Sequence, residues 1–426
     1  MSWARIVIIT AGTRGDVQPY VALGEALKEA GFAVRMITHP DFRAMVEAAG
    51  LDFHSIGIGI RERVRGPEGA TFVRKADRPF HLIQGIMRAF LQHVDEVMDR
   101  LVAGCEDADI LVFSGLGFPA FHIAEARNMP AVAAYLQPLT PTSAFPAPIG
   151  SFPSWLRTPW TNRATYILAQ LFSWWMVRKP SNGLRQRLGL QSLGLRGPFP
   201  HIRQGVLPHL YAFSAHVVPC PPDWPEWAHI TGYWFCKTPA FTAPAELAQF
   251  LENHHPVIYI GFGSLHLPHP DEVLSEIFQA LERLDVFAVM SRGWGEWEVV
   301  SHPRVFWVEE IPHEWLFPRV EAVVHHGGAG TTAMGLRFGR PTVIMPFLAD
   351  QFFWGERVEA LGVGRMLPRA RNLKAARLYR VLKDVLSSEE MREKAEALGV
   401  LIREERGLEQ AVEKIQTLLD EARRNR

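Results

Sequence analysis

Residues 326–332, His-Gly-Gly-Ala-Gly-Thr-Thr, place three glycines, two hydroxyls and an imidazole directly after the apolar run 322–325. Glycines let a backbone approach a ligand closely. Amide groups at the start of the helix expected over 331–338 favour an anion, above all a phosphate. The pattern lacks the G-x-G-x-x-G spacing of a dinucleotide fold, and no Lys follows as in a Walker loop. A second candidate pair, Asp350-Gln351, follows the strand expected over 341–346. The carboxyl end of a strand is where open α/β sheets hold ligands. An acid and an amide there can grip sugar hydroxyls, although Asp350 would equally suit a helix N-cap. A third group, Gly12-Thr13-Arg14-Gly15-Asp16, ends the strand expected over 5–10. Its carboxylate faces a cleft on that reading; as a plain helix cap it would pair with Arg14. A fourth, Gly261-Phe262-Gly263-Ser264, offers another backbone nest.

These groups need elements to carry them. Strand 5–10, loop 11–19, helix 20–30 and strand 33–38 form a β-α-β opening, with further strands at 110–114 and 131–136. That order implies a parallel sheet with right-handed crossovers. Residues 138–230 change character, being dense in Pro, Trp and Phe. Phe145, Trp155, Phe172 and Trp175 are expected there in loops and helices around an apolar pocket, or in a shallow membrane contact. The prolines between 216 and 245 mark an interdomain linker. A second β-α-β series follows, with strands at 256–261, 286–290, 305–308, 322–325 and 341–346 and a helix at 271–284. Residues 388–424 read as charged amphipathic helix. The expected fold class is α/β, with two doubly wound, Rossmann-like parallel-sheet domains at 1–215 and 246–405.

A length of 426 residues agrees with two domains. Hydrophobic residues make up 48% and charged residues 21%, a globular composition. The 45 basic and 45 acidic residues cancel, which argues against a broad nucleic-acid footprint. Cys105, Cys220 and Cys236 are odd in number and far apart, so neither a disulfide framework nor a C-x-x-C metal site is expected. A reducing, cytoplasmic compartment fits. The run 6–9 is too short for a signal peptide. The run 166–177 is far short of a membrane span and contains Gln170 and Ser173.

The four groups in this order resemble nucleotide-sugar glycosyltransferases of family 1, of GT-B architecture. The resemblance covers nearly the whole chain. It is closest at 12–24 (GTRGDVQPYVALG) and 325–364 (HHGGAGTTAMGLRFGRPTVIMPFLADQFFWGERVEALGVG). Residues 312–318 (PHEWLFP) and 350–355 (DQFFWG) look most like the sterol 3β-glucosyltransferase branch. The resemblance implies an N-terminal acceptor-binding domain, a C-terminal nucleotide-sugar-binding domain facing it across a cleft, and a final helix, 406–426, returning to the first domain. It implies inverting transfer of a hexose, glucose from UDP-glucose, to a hydroxyl of a lipophilic acceptor such as a sterol, with no metal or other cofactor. The backbone at Ile311 would hold the base edge. His326, Gly328, Gly330 and Thr331 would hold the diphosphate, flanked by Ser264 and Thr13. Asp350 and Gln351 would hold the sugar, and Asp16 would be the general base. Burial would have to raise the ordinary Asp pKa of about 3.9 for that task.

Some positions depart from the plant relatives. Glu310 stands where they carry Trp, Met334 where they carry a ribose-binding Glu, and Asp16 where they use a His. The partners so implied are a nucleotide sugar and a lipophilic small molecule, with the protein a monomer or homodimer. Three other readings stay open: transfer to an antibiotic or other natural-product aglycone from a UDP- or TDP-sugar, nucleotide-sugar epimerisation, and non-catalytic nucleotide-sugar binding. An epimerase would need no lipophilic pocket, and a mere binder would not need both Asp16 and Asp350.

Overall fold

The computed structural model describes residues 4–61, 93–237, 241–263, 269–293, 299–369 and 372–424. Two parallel sheets organise them. The first comprises β1 (Arg5–Ile9), β2 (Ala33–Thr38), β3 (Asp52–Ser55), β4 (Ile110–Phe113), β5 (Ala131–Tyr135), β6 (His209–Tyr211) and β7 (Ala228–Ile230), in the order β3-β2-β1-β4-β5-β6-β7. The second comprises β8 (Val257–Gly261), β9 (Phe287–Ser291), β10 (Val305–Val308), β11 (Ala322–His325), β12 (Thr342–Ile344) and β13 (Gly364–Met366), in the order β10-β9-β8-β11-β12-β13. Strand order reverses between β1 and β4 and again between β8 and β11. Those two points are where a doubly wound sheet opens a crevice at its carboxyl edge.

The helices that matter for the site are α1 (Arg14–Glu29), α2 (Pro119–Ala126), α3 (Pro159–Arg187), α4 (Ala329–Arg337), α5 (Gln351–Leu361), α6 (Glu389–Glu404) and α7 (Gly407–Arg424). The central strands are apolar on both faces, as a sheet covered on both sides demands. Val7 and Ile9 face one core cluster and Ile6 and Ile8 the other. The first of these clusters continues into the second domain. Trp354 of α5 is almost fully buried and meets Phe213 edge-on at 6.2 Å. α7 returns to the first domain, where Ala411, Ile415 and Leu419, one per turn, join the cluster holding Leu23 and Leu27 of α1. No helix among the described residues is long and apolar enough to cross a membrane.

Two expectations need correction. The helix expected from residue 20 begins at Arg14 and contains Pro19. Thr13 and Asp16 form a capping box that starts it, and this outweighs Gly12 and Gly15, which suggested a loop. Pro19 has no N–H for the Gly15 carbonyl one turn back, so that carbonyl leaves the helical ladder. The linker expected at 216–245 is also too long. β7 lies inside it and pairs with β6 in the first sheet. Its prolines belong to a folded loop in which Trp224 stacks on Tyr211 at 4.5 Å and donates to the Thr140 carbonyl at 3.1 Å.

Candidate active site

At the end of β1, Gly12 adopts φ +125°, and a Cβ there would lie 2.5 Å from Asp16 Oδ2. Only glycine lets the carboxylate fold back against this turn. The Gly12 amide donates to His39 Nε2 at 3.0 Å, and His39 Nδ1 meets the Ile58 carbonyl at 2.7 Å. Asp16 Oδ2 accepts from the Thr13 amide at 2.8 Å and the Thr13 hydroxyl at 3.0 Å. Thr13 therefore holds the carboxylate in place. Burial raises the Asp16 pKa, and the two Thr13 hydrogen bonds oppose it. Arg14 does not pair with Asp16. It reaches Gln18 on its own helix and, at 2.8 Å, Glu310 of the other domain. Arg61 joins it on Glu310 at 3.4 Å. Glu310 is thus an ionic bridge across the cleft beside Ile311.

Asp16 opens onto a cavity of about 240 Å³ at the carboxyl ends of three strands. Its walls include Tyr20 from α1, Ser114 and Leu116 after β4, and Tyr135 and Gln137 at the end of β5. Phe145, Trp155, Phe172 and Trp175 are not among these walls. Phe145 packs on Phe353 of α5 at 5.3 Å. Trp155 and Trp175 are 77% and 68% exposed, and Phe172 stacks on Trp175 at 6.3 Å. The pocket expected around the aromatic stretch is thus not this cavity. The strand-end residues Ser114 and Gln137 were its readable signal, since ligands collect at such ends.

The second domain supplies the opposite wall. α4 begins at Ala329 after the glycine turn, with Gly327 at φ +91°. A Cβ on Gly330 would lie 3.9 Å from the Gly15 carbonyl, so the amino ends of α1 and α4 meet across the cleft. Both point partial positive charge into one gap, and an anion there is stabilised by both. Gly327 donates to His325 Nδ1 at 3.0 Å, which puts the His325 proton on Nε2. His326 Nδ1 has no partner among the described residues. Burial pushes His313 and His326 down to about 4 and His325 well below its ordinary value. These imidazoles are neutral at pH 7 and can donate hydrogen bonds to a ligand without adding charge. Thr331 and Gly328 are half-buried at the helix start. Ser264 lies outside the described residues, although Gly263 before it turns at φ +63° toward His326. Met334, at the position where plant relatives carry a ribose-binding acid, is buried in the core with Tyr259 and Phe317.

Asp350 does not cap α5 with its side chain. Its Oδ2 accepts from Gln137 Nε2 of the first domain at 3.0 Å and from Trp354 Nε1 at 3.1 Å. Gln351 is buried, and its Oε1 accepts from the amides of Phe347 at 2.7 Å and Leu348 at 3.1 Å. It therefore shapes the loop that presents Asp350, next to Ala349 in the left-handed region at φ +51°. Burial lifts Asp350 to about 6, with the Asp16 charge contributing and Gln137 and Trp354 opposing. The two carboxylates thus sense one another across the cleft.

That shift has a measurable consequence. A carboxyl whose pKa is raised in the folded state stabilises the fold below its unfolded pKa and loses that contribution as pH rises through the folded value. D350N removes the penalty of ionising there. It should stabilise the unliganded protein by ~1–3 kcal/mol above about pH 7 and by nothing below about pH 4. Urea melts at the two pH values measure this, and a difference that does not change with pH would contradict it.

A parallel-sheet pair with apposed helix ends and a carboxylate on each side of one cleft is the GT-B architecture. Residues 6–146 match the glycosyltransferase family 28 N-terminal domain, and residues 275–406 match the erythromycin biosynthesis protein CIII-like C-terminal domain. The two matches fall one in each sheet's half of the chain, and the fold is that of the GT-B glycosyltransferases. It is 34% identical to a sterol 3-beta-glucosyltransferase of Cryptococcus neoformans over 98% of its own length and 27% of the relative's. It is likewise 34% identical to one of Pichia angusta, over 98% of this chain and 34% of that protein. The chain therefore spans between about a quarter and a third of the length of these curated relatives. Among solved structures it resembles the glycosyltransferase of kitacinnamycin (TM-score 0.72, 18% identity, 98% of this chain and 100% of that one). It also resembles the glycosyltransferase VinC in complex with DTDP (TM-score 0.65, 18% identity, 99% and 100%).

Proposed function

We propose that this chain is an inverting glycosyltransferase that moves glucose from UDP-glucose to a hydroxyl of a lipophilic acceptor such as a sterol. The carrying observation is the convergence of Asp16, beside its cavity, with Asp350 and the amino end of α4 across one cleft. The acceptor occupies the cavity with its hydroxyl toward Asp16. Asp16 takes the hydroxyl proton as the oxygen bonds to the anomeric carbon. The bond from that carbon to the diphosphate breaks, and its electron pair leaves with the diphosphate. The amides of 327–331 and a neutral His326 stabilise the charge that gathers there. Asp350 holds sugar hydroxyls, and single displacement inverts the anomeric centre. No metal is needed on this reading, because the helix end and the imidazole meet the leaving charge. The sterol glucosyltransferase relatives support the acceptor and the sugar. Such an acceptor resides in a bilayer, so a cytoplasmic protein in peripheral contact with a membrane belongs to the same reading.

The experiment is turnover of UDP-glucose with a sterol, the product identified by mass and its anomeric configuration by NMR. A β-glucoside supports the proposal. Free glucose alone, or an α-glucoside, would overturn it. A second reading, transfer to a natural-product aglycone, is favoured by the likeness to natural-product enzymes, one of them holding a thymidine diphosphate. TDP-sugars with polyketide acceptors in the same assay decide between the two.

A further inference from the structure

We infer that the outward face of α3 docks on an anionic lipid bilayer, and this deepens the lipophilic-acceptor reading by naming the surface that delivers the acceptor. The inference rests on that reading for its purpose, while its evidence is independent. α3 is 29 residues long and lies along the first domain against α2. Its inner face buries Tyr166, Trp174, Ser181 and Leu184. The opposite face carries Trp160, Ile167, Leu168, Leu171, Phe172 and Trp175, all exposed. The spacing 160, 164, 167, 168, 171, 175 keeps one side of a helix. From Trp160 to Trp175 this face runs roughly 22 Å at 1.5 Å per residue. Trp160 is 78% exposed and Leu168 65%. Contiguous apolar exposure on that scale marks a contact surface, not ordinary scatter.

Charge selects the occupant. The whole chain is neutral, yet residues 126–222 hold nine Arg and Lys residues and no Asp or Glu. Arg157, Arg185 and Arg187 are consumed by Glu356, Glu125 and Asp95 with Asp99. Arg163, Arg178, Lys179 and Arg196 pair with no carboxylate among the described residues. Three of these four sit on α3 itself, at both ends of the apolar face. A protein partner would call for mixed charge at its rim. An acid-free, Trp-bounded helix lying flat matches a bilayer interface with anionic head groups. The start of α3 also adjoins the cleft. Arg157, just before it, grips Glu356 of α5 at 2.9 Å, and α5 follows directly on Asp350. A bilayer under α3 therefore lies beside the catalytic opening.

Flotation with phosphatidylcholine vesicles, with and without phosphatidylglycerol, tests this on the full chain. The wild type should float with phosphatidylglycerol vesicles and release as salt rises, by screening. W160S/L168S/L171S should cut that partitioning by roughly tenfold or more, with melting temperature and UDP affinity unchanged. R163Q/R178Q/K179Q should erase the preference for phosphatidylglycerol. Wild-type protein that ignores both vesicles, or a W160S/L168S/L171S protein that floats like wild type, would overturn the inference. So would a wild-type dimer that the same triple variant dissociates, because a second copy would then cover the face. Vesicle binding in a protein that turns over no sterol supports the surface and sinks only the acceptor reading.

Discussion

Replacing Asp16 by Asn should lower kcat by roughly 10²–10⁴-fold, the range for losing a general base, and leave UDP affinity within about twofold. The substitution keeps shape. An amide oxygen can still accept from the Thr13 amide and hydroxyl, which now bind at 2.8 and 3.0 Å. The Gly12 turn needs no change, because an Asn side chain fills the same space against it. What disappears is the one carboxylate among the described residues of the cavity wall, the group that would take a proton from a hydroxyl as that oxygen attacks. A second effect accompanies the first. The Asp16 charge helps hold Asp350 high, so in D16N Asp350 should titrate lower. Steady-state kinetics, calorimetry with UDP and NMR titration of Asp350 read the three quantities separately. Near-wild-type turnover in a folded D16N protein would remove Asp16 from the mechanism.

The other large effect belongs to Gly327. G327A should weaken UDP binding by roughly a hundredfold or more and destabilise the fold by ~1–3 kcal/mol. Its φ of +91° is unfavourable for any residue with a Cβ. The added carbon would lie 2.6 Å from Ile344 Cγ2 and 3.2 Å from Gln351 Cβ. Neither neighbour yields readily: Ile344 is fully buried in β12, and Gln351 is fixed by its bonds to Phe347 and Leu348. The turn must move, and with it the amides at the start of α4. G183A is the control. A Cβ at Gly183, inside α3, meets nothing within 4 Å, so that variant should bind UDP normally and melt no earlier. Unchanged binding in G327A would show that the turn does not hold the donor.

Much of this architecture is legible in the sequence because it is written in local terms. Buried runs such as Ile6–Ile9 and Ala322–His325 can only be strands covered on both faces, and glycine turns after them announce the helix ends. What escaped is what depends on the meeting of distant segments. Gln137 is an unremarkable amide until β5 places it opposite Asp350. Glu310 looks like a lost stacking position until Arg14 and Arg61 arrive from the other domain. The aromatic stretch shows why composition misleads. Trp174 and Trp175 are neighbours in sequence, yet one is 2% exposed and the other is in open solvent. Helical phase separates them, and no count of tryptophans carries phase. Gly12 and Gly15 misled for the opposite reason, since the strength of the Thr13–Asp16 cap lies in two side chains whose pairing only geometry reveals.

Gly232 and Gly407 touch, with a Cβ on Gly232 falling 3.2 Å from the Gly407 Cα and one on Gly407 falling 2.4 Å from the Tyr233 carbonyl oxygen. The outgoing and returning passages of the polypeptide therefore run side by side instead of at opposite margins. Paired tethers of that kind fasten the two halves along one edge and oppose their twisting about each other. A bulky residue at either one would force these two passages apart, because the atoms in the way are backbone and Gly232 sits at φ +99°.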